Sequence, residues 1–194
     1  MASARRTWSP AGFTNVLRRE AAETAIGLCQ EQGFPYYLAW VTIMNGWALT
    51  AQKHGKEGQA EMRRGLSAIG ATGARIRHPY YLALLAEACG QTGEVDAAVK
   101  MLVEGMGAAR DGECWHEAEL HRLKGELLVG RHVSRASRSR PAGCQTIDTQ
   151  VERCFHHALA IARRQHAESL ALRAAMRLAR LWQRQAKRDL HFVD

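Results

Sequence analysis

The pentapeptide "PYYLA" occurs at Pro35–Ala39 and again, letter for letter, at Pro79–Ala83. The chain has 194 residues with only four prolines and four tyrosines, so the recurrence indicates a duplicated unit rather than chance. Proline fits the first turn of an α-helix, where its missing N–H is no loss. Each copy is therefore predicted to open a helix. We expect the second tyrosine and the leucine of each copy to pack inside (Tyr37, Leu38, Tyr81 and Leu82).

Apolar residues elsewhere recur with helical spacing, and nothing in the chain shows sustained period-two alternation. Met62, Leu66 and Ile69, for example, fall at i, i+4 and i+7 on one helix face. Connectors such as "QKHGKEG" and "CGQTGEV" place a glycine where a left-handed helix cap is needed, and short connectors favour antiparallel hairpins. The predicted helices are 14–32, 35–53, 57–71, 79–91, 94–109, 114–130, 147–165 and 167–187.

The helices form a repeating pattern. "PYYLAW" returns as "PYYLAL" 44 residues later, "WHEAEL" aligns 35 residues after that, and "HAESLAL" follows 53 residues further on. A varying period of about 35 to 45 residues, with one helix pair per unit, is typical of a helical solenoid. The sequence thus predicts an all-α fold, an α-solenoid of about four antiparallel helix hairpins.

The spacing of small and apolar residues resembles tetratricopeptide repeats. The best-matched unit places its residues as that family does at Leu85-Ala86, Cys89, Gly93, Ala98, Leu102 and Gly105. Over residues 15–187, in segments such as "EQGFPYYLAW" and "WHEAELHRLKGELL", the chain resembles the C-terminal repeat region of large bacterial regulators. Those regulators join an adenylate/guanylate cyclase or protein kinase domain, or a DNA-binding domain, to a signal-transducing ATPase domain and then to such repeats. The resemblance implies a tetratricopeptide-like domain over 14–190, after a disordered segment at 1–13.

Such a domain is expected to be a non-catalytic protein-interaction module or scaffold, serving as a sensor or regulatory region of such a regulator. Its partner would be a protein or peptide, or a neighbouring domain, bound in a groove that the first helices line. The candidate groove residues are exposed polar or aromatic side chains on those helices: Tyr36, Asn45, Tyr80, Glu87, His116, Glu119 and Arg122.

The chain carries a net charge of +8, unevenly distributed. Residues 1–112 have a net charge of +2 (12 Lys/Arg against 10 Asp/Glu), and residues 113–194 have +6 (15 against 9). The Arg- and Ser-rich segment "RHVSRASRSRPAG" is predicted as a basic loop insertion at 132–146. An alternative function is therefore a nucleic-acid-associated module centred on four arginines, namely Arg131, Arg135, Arg138 and Arg140.

Composition narrows the remaining classes. No apolar run approaches the roughly 20 residues that a bilayer requires, so no membrane partner is expected. Five widely spaced cysteines without a C-x-x-C pair are typical of reduced thiols in a cytoplasmic protein. If the family pattern holds, the apolar face of helix 167–187 lacks its usual partner helix, and self-association through that face is a further interpretation.

No motif predicts catalysis, a metal or a cofactor. The segment "KHGKEG" lacks the first glycine and the Ser/Thr of a phosphate-binding loop. In "HEAELH" the histidines, His116 and His121, are five residues apart instead of the four that place two zinc ligands on one helix face. Glu152 and His156 are an i, i+4 pair that supports a helix more readily than acid–base chemistry. We therefore expect a protein that is not an enzyme.

Overall fold

The structure is a computed structural model that describes residues 15–110, 114–136 and 144–190, with side chains over 20–109, 114–131 and 148–186. Within these ranges the chain forms eight α-helices and one 3-10 turn, and no strand. The helices are α1 (Asn15–Glu31), α2 (Pro35–Ala51), α3 (Gly55–Ala71), α4 (His78–Gln91), α5 (Val95–Arg110), α6 (Glu117–Ala136), α7 (Cys144–Arg164) and α8 (Glu168–Leu190); the 3-10 turn is Cys114–His116.

The all-α prediction is confirmed, and each predicted helix corresponds to an observed one. Two compact units divide the chain, Met1–Ala74 and Arg75–Asp194, called here unit 1 and unit 2. In unit 1, α2 packs against both α1 and α3. In unit 2, consecutive helices pack as neighbours, and α6 also contacts α4 and α8. The helices α4, α6 and α8 therefore lie side by side in that order.

Four of the turns between helices close in the same way. In each, one residue with positive φ follows the helix, and the next N–H donates to a carbonyl five residues earlier. The donors and acceptors are Phe34 to Cys29, His54 to Leu49, Glu94 to Cys89 and Ala167 to Ala162, at 2.9 to 3.0 Å. The left-handed residues are Gly33, Lys53, Gly93 and His166. A shared closure is what repeated hairpins require.

The connector after α2 differs from the prediction in one respect. Glycine was expected to form the left-handed cap in "QKHGKEG", but Lys53 adopts it with φ of 72° and Gly55 begins α3. The cause is the position of the helix end. Because α2 ends at Ala51, Gly55 comes too late to close the turn.

Glycines bring α2 and α3 into very close contact in unit 1. A Cβ added at Gly46 would lie 2.5 Å from the Gly58 carbonyl oxygen, and one at Gly65 would lie 2.7 Å from the Ala39 carbonyl oxygen. No side chain fits at such distances, so backbone meets backbone across this pair. Ile43, Met62 and Ile69 fill the space around the glycines and are almost fully buried.

Unit 2 has a conventional apolar core. Five of the repeat positions identified from the sequence are buried apolar residues, namely Leu85, Ala86, Cys89, Ala98 and Leu102. A second cluster joins α6, α7 and α8 through Leu128, Val151, Cys154, Phe155, Leu178 and Leu181. The periodic apolar residues of the sequence therefore form the core of this unit, as predicted.

The two "PYYLA" copies differ in burial. Tyr81 is fully buried and Leu82 nearly so, as expected. The prediction that Tyr37 packs inside is wrong, because 55% of it is exposed; its ring forms edge-on pairs with Phe34 and Tyr36. Burial depends on the helices that pack around a position, and the pentapeptide does not encode those.

The helices continue further into the basic segment than predicted. Of the loop expected at 132–146, residues 132–136 belong to α6 and 144–146 belong to α7. Arginine and alanine are good helix formers, and the helix breakers Pro141 and Gly143 come only later in the sequence. The predicted disordered segment 1–13 lies outside the described residues. Over the part of the chain that the structure covers, no helix combines the length and hydrophobicity needed to cross a bilayer.

Candidate functional site

A buried arginine lies at the centre of the α4–α6–α8 layer of unit 2. Arg122 is only 4% exposed. Its Nε donates to Glu119 Oε2 at 2.7 Å and its Nη2 donates to Glu119 Oε1 at 2.6 Å, while Nη1 donates to Glu126. The guanidinium thus bridges two carboxylates on its own helix, three residues before it and four residues after it.

Helix α8 contributes two further arginines to this network. Arg173 Nη2 lies 2.9 Å from Glu119 Oε1, and Arg177 forms an ion pair with Glu126. Glu119 and Glu126 are therefore each shared between Arg122 and one arginine of α8. The shared carboxylates tie the two helices together through charge-assisted hydrogen bonds. We call the set Arg122, Glu119, Glu126, Arg173 and Arg177 the ionic network.

The surroundings shift the pKa values of the network in the directions that stable ion pairs require. Burial alone would raise the pKa of Glu119, but hydrogen bonds and the charges of Arg122 and Arg173 lower it below the usual range. Burial would lower the pKa of Arg122, and Glu119 and Glu126 outweigh that effect and raise it. Both groups are charged at neutral pH.

Glu87 on α4 faces the network without joining it. The carboxylate of Glu87 forms no hydrogen bond or ion pair with any described residue. Burial raises the pKa of its carboxyl group; Arg122 partly opposes that rise, and Glu119 and Glu126 add to it. Glu87 is therefore a carboxylate that the fold has partly removed from water without a direct partner, an unfavourable arrangement for its charged form.

An open cleft extends from Glu87 along α6. It has a volume of about 1010 Å³ and lies between α4, the start of α5 and α6. We call it the acidic cleft, because four carboxylates line it against a single arginine. Arg131 Nη1 lies 3.1 Å from Asp96 Oδ1. The charged residues of the lining are Glu87, Glu94, Asp96, Glu126 and Arg131.

A smaller cavity of about 380 Å³ lies on the other side of α6, between α6, α7 and α8. Glu126 and Gly130 line both cavities, so the two are adjacent. We call this one the basic pocket. Three arginines surround it, and its apolar lining comes from three different helices. These residues are Arg177, Arg180, Arg184, Val129, Phe155 and Leu181.

The structure brings five of the seven predicted groove residues into unit 2. Glu87, Glu119 and Arg122 meet at the ionic network. Arg122 was expected to be exposed, and that expectation is wrong: its two carboxylate partners allow the guanidinium to be buried. Tyr80 and His116 form a separate stacked pair, with ring centroids 4.6 Å apart.

The aromatic pair has two neighbours that the sequence did not single out. Trp115 lies 4.2 Å from His116, measured between ring centroids, and the Arg77 guanidinium carbon lies 6.0 Å from the centre of the Trp115 ring. The cluster joins the start of α4 to the 3-10 turn before α6. Half of Trp115 is exposed, so the cluster adds an aromatic element to the surface of unit 2.

The other two candidates, Tyr36 and Asn45, belong to unit 1 and form no common site there. The Tyr36 ring meets the edge of Tyr37 at 5.5 Å between centroids. Asn45 is partly buried, and its Oδ1 has no hydrogen-bond partner. Both side chains therefore lie partly within the packing of unit 1.

Only one arginine of the predicted basic loop can be assigned a role. Arg131 belongs to α6 and pairs with Asp96, so its charge is partly compensated. Arg135 is also on α6, but its side chain lies outside the described ones, as do Arg138 and Arg140 altogether. The nucleic-acid interpretation therefore remains a prediction.

The two histidines of "HEAELH", the motif that resembles a zinc site, have different neighbours. His116 stacks on Tyr80, whereas His121 lies 5.4 Å from the His157 ring, centroid to centroid. Among the residues that the structure describes, no three His, Cys, Asp or Glu side chains come together as they would around a metal ion. Glu152 and His156 are 3.7 Å apart, as their i, i+4 spacing predicts.

The sequence analysis missed Glu126 and all the arginines of α8. A signal was present: the positions 173, 177, 180 and 184 are spaced by four, three and four residues, which places four arginines on one helix face. On its own, such a row is typical of a solvated face. Only the packing of α8 beside α6 shows that two of them complete a network.

Comparison with known proteins finds no match to this chain among protein-family models, curated proteins or solved structures. The resemblance to tetratricopeptide repeats therefore rests on the residues quoted above.

Proposed function

We propose that the chain is a non-catalytic protein-interaction module, an α-solenoid of tetratricopeptide-like hairpins that binds a segment of another protein on the α4–α6–α8 layer of unit 2. One observation carries the proposal. The acidic cleft and the basic pocket lie on opposite sides of α6, so a single face presents both signs of charge to a ligand. Complementary charge gives an interaction surface its selectivity.

The ionic network supports this assignment by its position between the two cavities. Arg122 is buried and bonded on both sides, and it holds α6 to α8 from within. Side chains fixed in this way lose little further freedom when a partner binds, which favours affinity. The charged groups of the ionic network already have hydrogen-bond and ion-pair partners within the protein. The network therefore gives the layer a rigid support, and we place the ligand contacts in the acidic cleft and the basic pocket on either side of it.

The resemblance adds a biological setting to the proposal. In a bacterial signalling ATPase or cyclase-type regulator, such a module would be a sensor or regulatory region, and its partner a protein, a peptide or a neighbouring domain. Exposed apolar residues on α8, Leu172 and Met176, are consistent with the further interpretation that the chain self-associates.

A peptide array tests the proposal directly. The labelled chain is applied to short peptides of systematically varied charge and hydrophobicity, and affinities of the binders are measured in solution. We expect a subset containing Lys or Arg to bind, and Glu94→Gln with Asp96→Asn in the acidic cleft to weaken those peptides about tenfold, since charge-assisted contacts are lost.

The matched control is Glu57→Gln with Glu104→Gln, which removes the same charge from exposed positions outside the cleft. This pair is expected to change affinity less than about twofold, because exposed charges at a distance are screened by salt. If no peptide of any composition binds, or if both pairs of substitutions have the same effect, the α4–α6–α8 layer is not a protein-binding face.

A further inference from the structure

Among the side chains that the structure describes, the basic pocket has more positive charge than its neighbours neutralise. In the α4–α6–α8 layer, Arg122, Arg173 and Arg177 are balanced in number by Glu87, Glu119 and Glu126. Arg180 and Arg184 complete the arginine row of α8, and neither forms an ion pair with any residue whose side chain the structure describes. Two guanidinium groups at the pocket mouth are therefore available to a ligand.

Burial and neighbouring positive charges both act on Arg177, the third arginine of the pocket. Burial lowers the pKa of Arg177; Glu126 raises it, and the charges of Arg122, Arg180 and Arg173 lower it again. The net direction is downward even though Arg177 is paired with Glu126. An anion placed in the pocket would relieve this repulsion, because it would be close to three guanidinium groups at once.

The base of the pocket is apolar and fixed. Phe155 is only 2% exposed and Leu181 only 6%. Gly125 on α6 makes room for the Phe155 ring, since a Cβ there would lie 2.6 Å from the ring. The ring is thus held against α6 by close packing. The pocket combines a rigid hydrophobic base with a cationic rim, which suits an anionic group carried on an apolar stem.

The neighbouring acidic cleft limits what can extend out of the pocket. The cleft begins at the shared residues Glu126 and Gly130 and carries four carboxylates. A nucleic acid leaving the pocket in that direction would bring its phosphates against these carboxylates. A polypeptide can change the sign of its charge from one residue to the next, and an acidic end followed by a basic end matches both cavities.

From this geometry we propose that the basic pocket binds an acidic group, a carboxylate or a phosphate, on an extended segment of a partner protein. Arg180 and Arg184 bind this acidic group. The adjoining apolar side chain of the segment contacts Val129, which is partly exposed and packs against Phe155 and Leu181, and the chain continues with basic residues into the acidic cleft. This inference rests on the proposed protein-binding function and specifies the chemistry of the ligand.

The test uses a fluorescent peptide with a Phe- and Glu-containing acidic half and a Lys- and Gly-containing half, titrated with the full chain and followed by anisotropy. The variant Arg180→Gln with Arg184→Gln is expected to weaken binding at least about tenfold, because two charge-assisted contacts are lost. The matched control is Arg153→Gln with Arg163→Gln, which removes two exposed arginines of α7 outside the pocket and should change affinity less than about twofold.

Two further probes define the ligand. A peptide with Gln in place of Glu should bind at least about tenfold more weakly than the parent peptide. A peptide with phosphoserine in place of Glu shows which acidic group is preferred. Whether this peptide binds more tightly or more weakly than the Glu peptide, the proposal is supported if its binding is lost in Arg180→Gln with Arg184→Gln. Circular dichroism melting confirms that both arginine pairs leave the fold intact.

The proposal is overturned if both arginine pairs weaken binding equally, or if the Gln peptide binds as well as the Glu peptide. It is also overturned if short single-stranded DNA binds more tightly than the peptides and depends on Arg180 and Arg184, which would favour the nucleic-acid alternative. If any of these overturning results is obtained while other array peptides still bind through the acidic cleft, only the ligand proposed for the basic pocket is wrong. If no array peptide binds at all, the proposed function itself fails.

Discussion

The two units hold their helices together by different means. In unit 1, α2 and α3 meet at glycines, and the contact depends on the absence of side chains. In unit 2, α6 and α8 meet at charged groups around the buried Arg122, and the contact depends on a balance of three arginines and the carboxylates around them. The first contact is sensitive to volume and indifferent to pH. The second is sensitive to charge and tolerates little change in ionisation.

The surface of each unit reflects this difference. The ion pairs described in unit 1, such as Arg64 with Glu61, are at the surface, and 69% of the Arg64 side chain is exposed. Unit 2 places comparable pairs where only 5% of the Arg122 side chain is exposed. Buried ion pairs contribute little net stability compared with apolar packing, so their retention calls for a reason other than stability. We infer that reason to be the positioning of charge on the α4–α6–α8 layer.

The largest expected effect comes from removing the central charge. Arg122→Gln leaves the partly buried Glu119 and Glu126 with incomplete compensation, and breaking a buried pair in this way costs about 3–5 kcal/mol. Urea denaturation followed by circular dichroism gives the free energy of unfolding. Hydrogen–deuterium exchange should show the loss of protection in α6 and α8 and not in α2 and α3.

Arg64→Gln is the matched control, because Arg64 also pairs with a glutamate three residues before it, at 2.6 Å. An exposed pair of this kind is worth less than about 1 kcal/mol. Equal losses of stability in the two variants would show that burial of Arg122 has no energetic consequence and would remove the distinction between the two units.

A smaller effect is expected in unit 1 from a single methyl group. In Gly58→Ala the new Cβ would meet the Gly46 carbonyl oxygen and the Thr50 hydroxyl. Overpacking of this kind costs about 1–3 kcal/mol. The same substitution at Gly70, further along α3, has no atom within 4 Å and should instead stabilise the helix by about 0.5–1 kcal/mol.

The signs of these two changes can be compared by thermal melting. If Gly58→Ala and Gly70→Ala shift the melting temperature in the same direction, the close approach of α2 and α3 does not control the stability of unit 1. Exchange measurements should place the loss caused by Gly58→Ala in α2 and α3, with α6 and α8 unchanged.

The helices of both units were predictable, because the apolar period and the turn residues are local features of the sequence. Gly33 and Gly93, for example, take the left-handed conformation that their place after a helix requires. The difference between Tyr37 and Tyr81 was not predictable from two identical pentapeptides, since it depends on which helices cover each position.

The candidate site was predictable only in part, for the same reason. Glu119 and Arg122 were identified as polar residues on the first helix of a predicted hairpin, but their burial depends on α8. Arg173 and Arg177 are far away in sequence and show only a row of charge on a helix. Charge pairing between helices requires knowledge of their order in space, and the sequence pattern does not supply it.

The smallest expected effect on the free energy of unfolding comes from Glu87→Gln. Its sign is opposite to that of Arg122→Gln, because stability increases. Burial raises the pKa of its carboxyl group above 4.5, so the charged form is the less favourable one in the folded protein. A raised pKa contributes stability that is present below the unfolded pKa and is lost as pH rises through the folded pKa. Glu87→Gln removes the charge permanently and should therefore increase stability at neutral pH, by less than about 1 kcal/mol.

The pH dependence separates this cause from a simple change in packing. The advantage of Glu87→Gln over the wild-type chain should be greatest at pH 7 and should disappear as pH falls below the pKa of this carboxyl group in the unfolded chain, where the group is neutral in both states. Glu119 has the opposite sign, because its pKa is lowered, and its contribution to stability is lost as pH falls. A constant difference between variant and wild type across this range would indicate a change in packing alone. An advantage that reverses as pH rises would show that Glu87 is stabilised by its neighbours as the paired carboxylates are. The ionic network would then extend to α4, and the charge balance of the layer would include no unfavourable member.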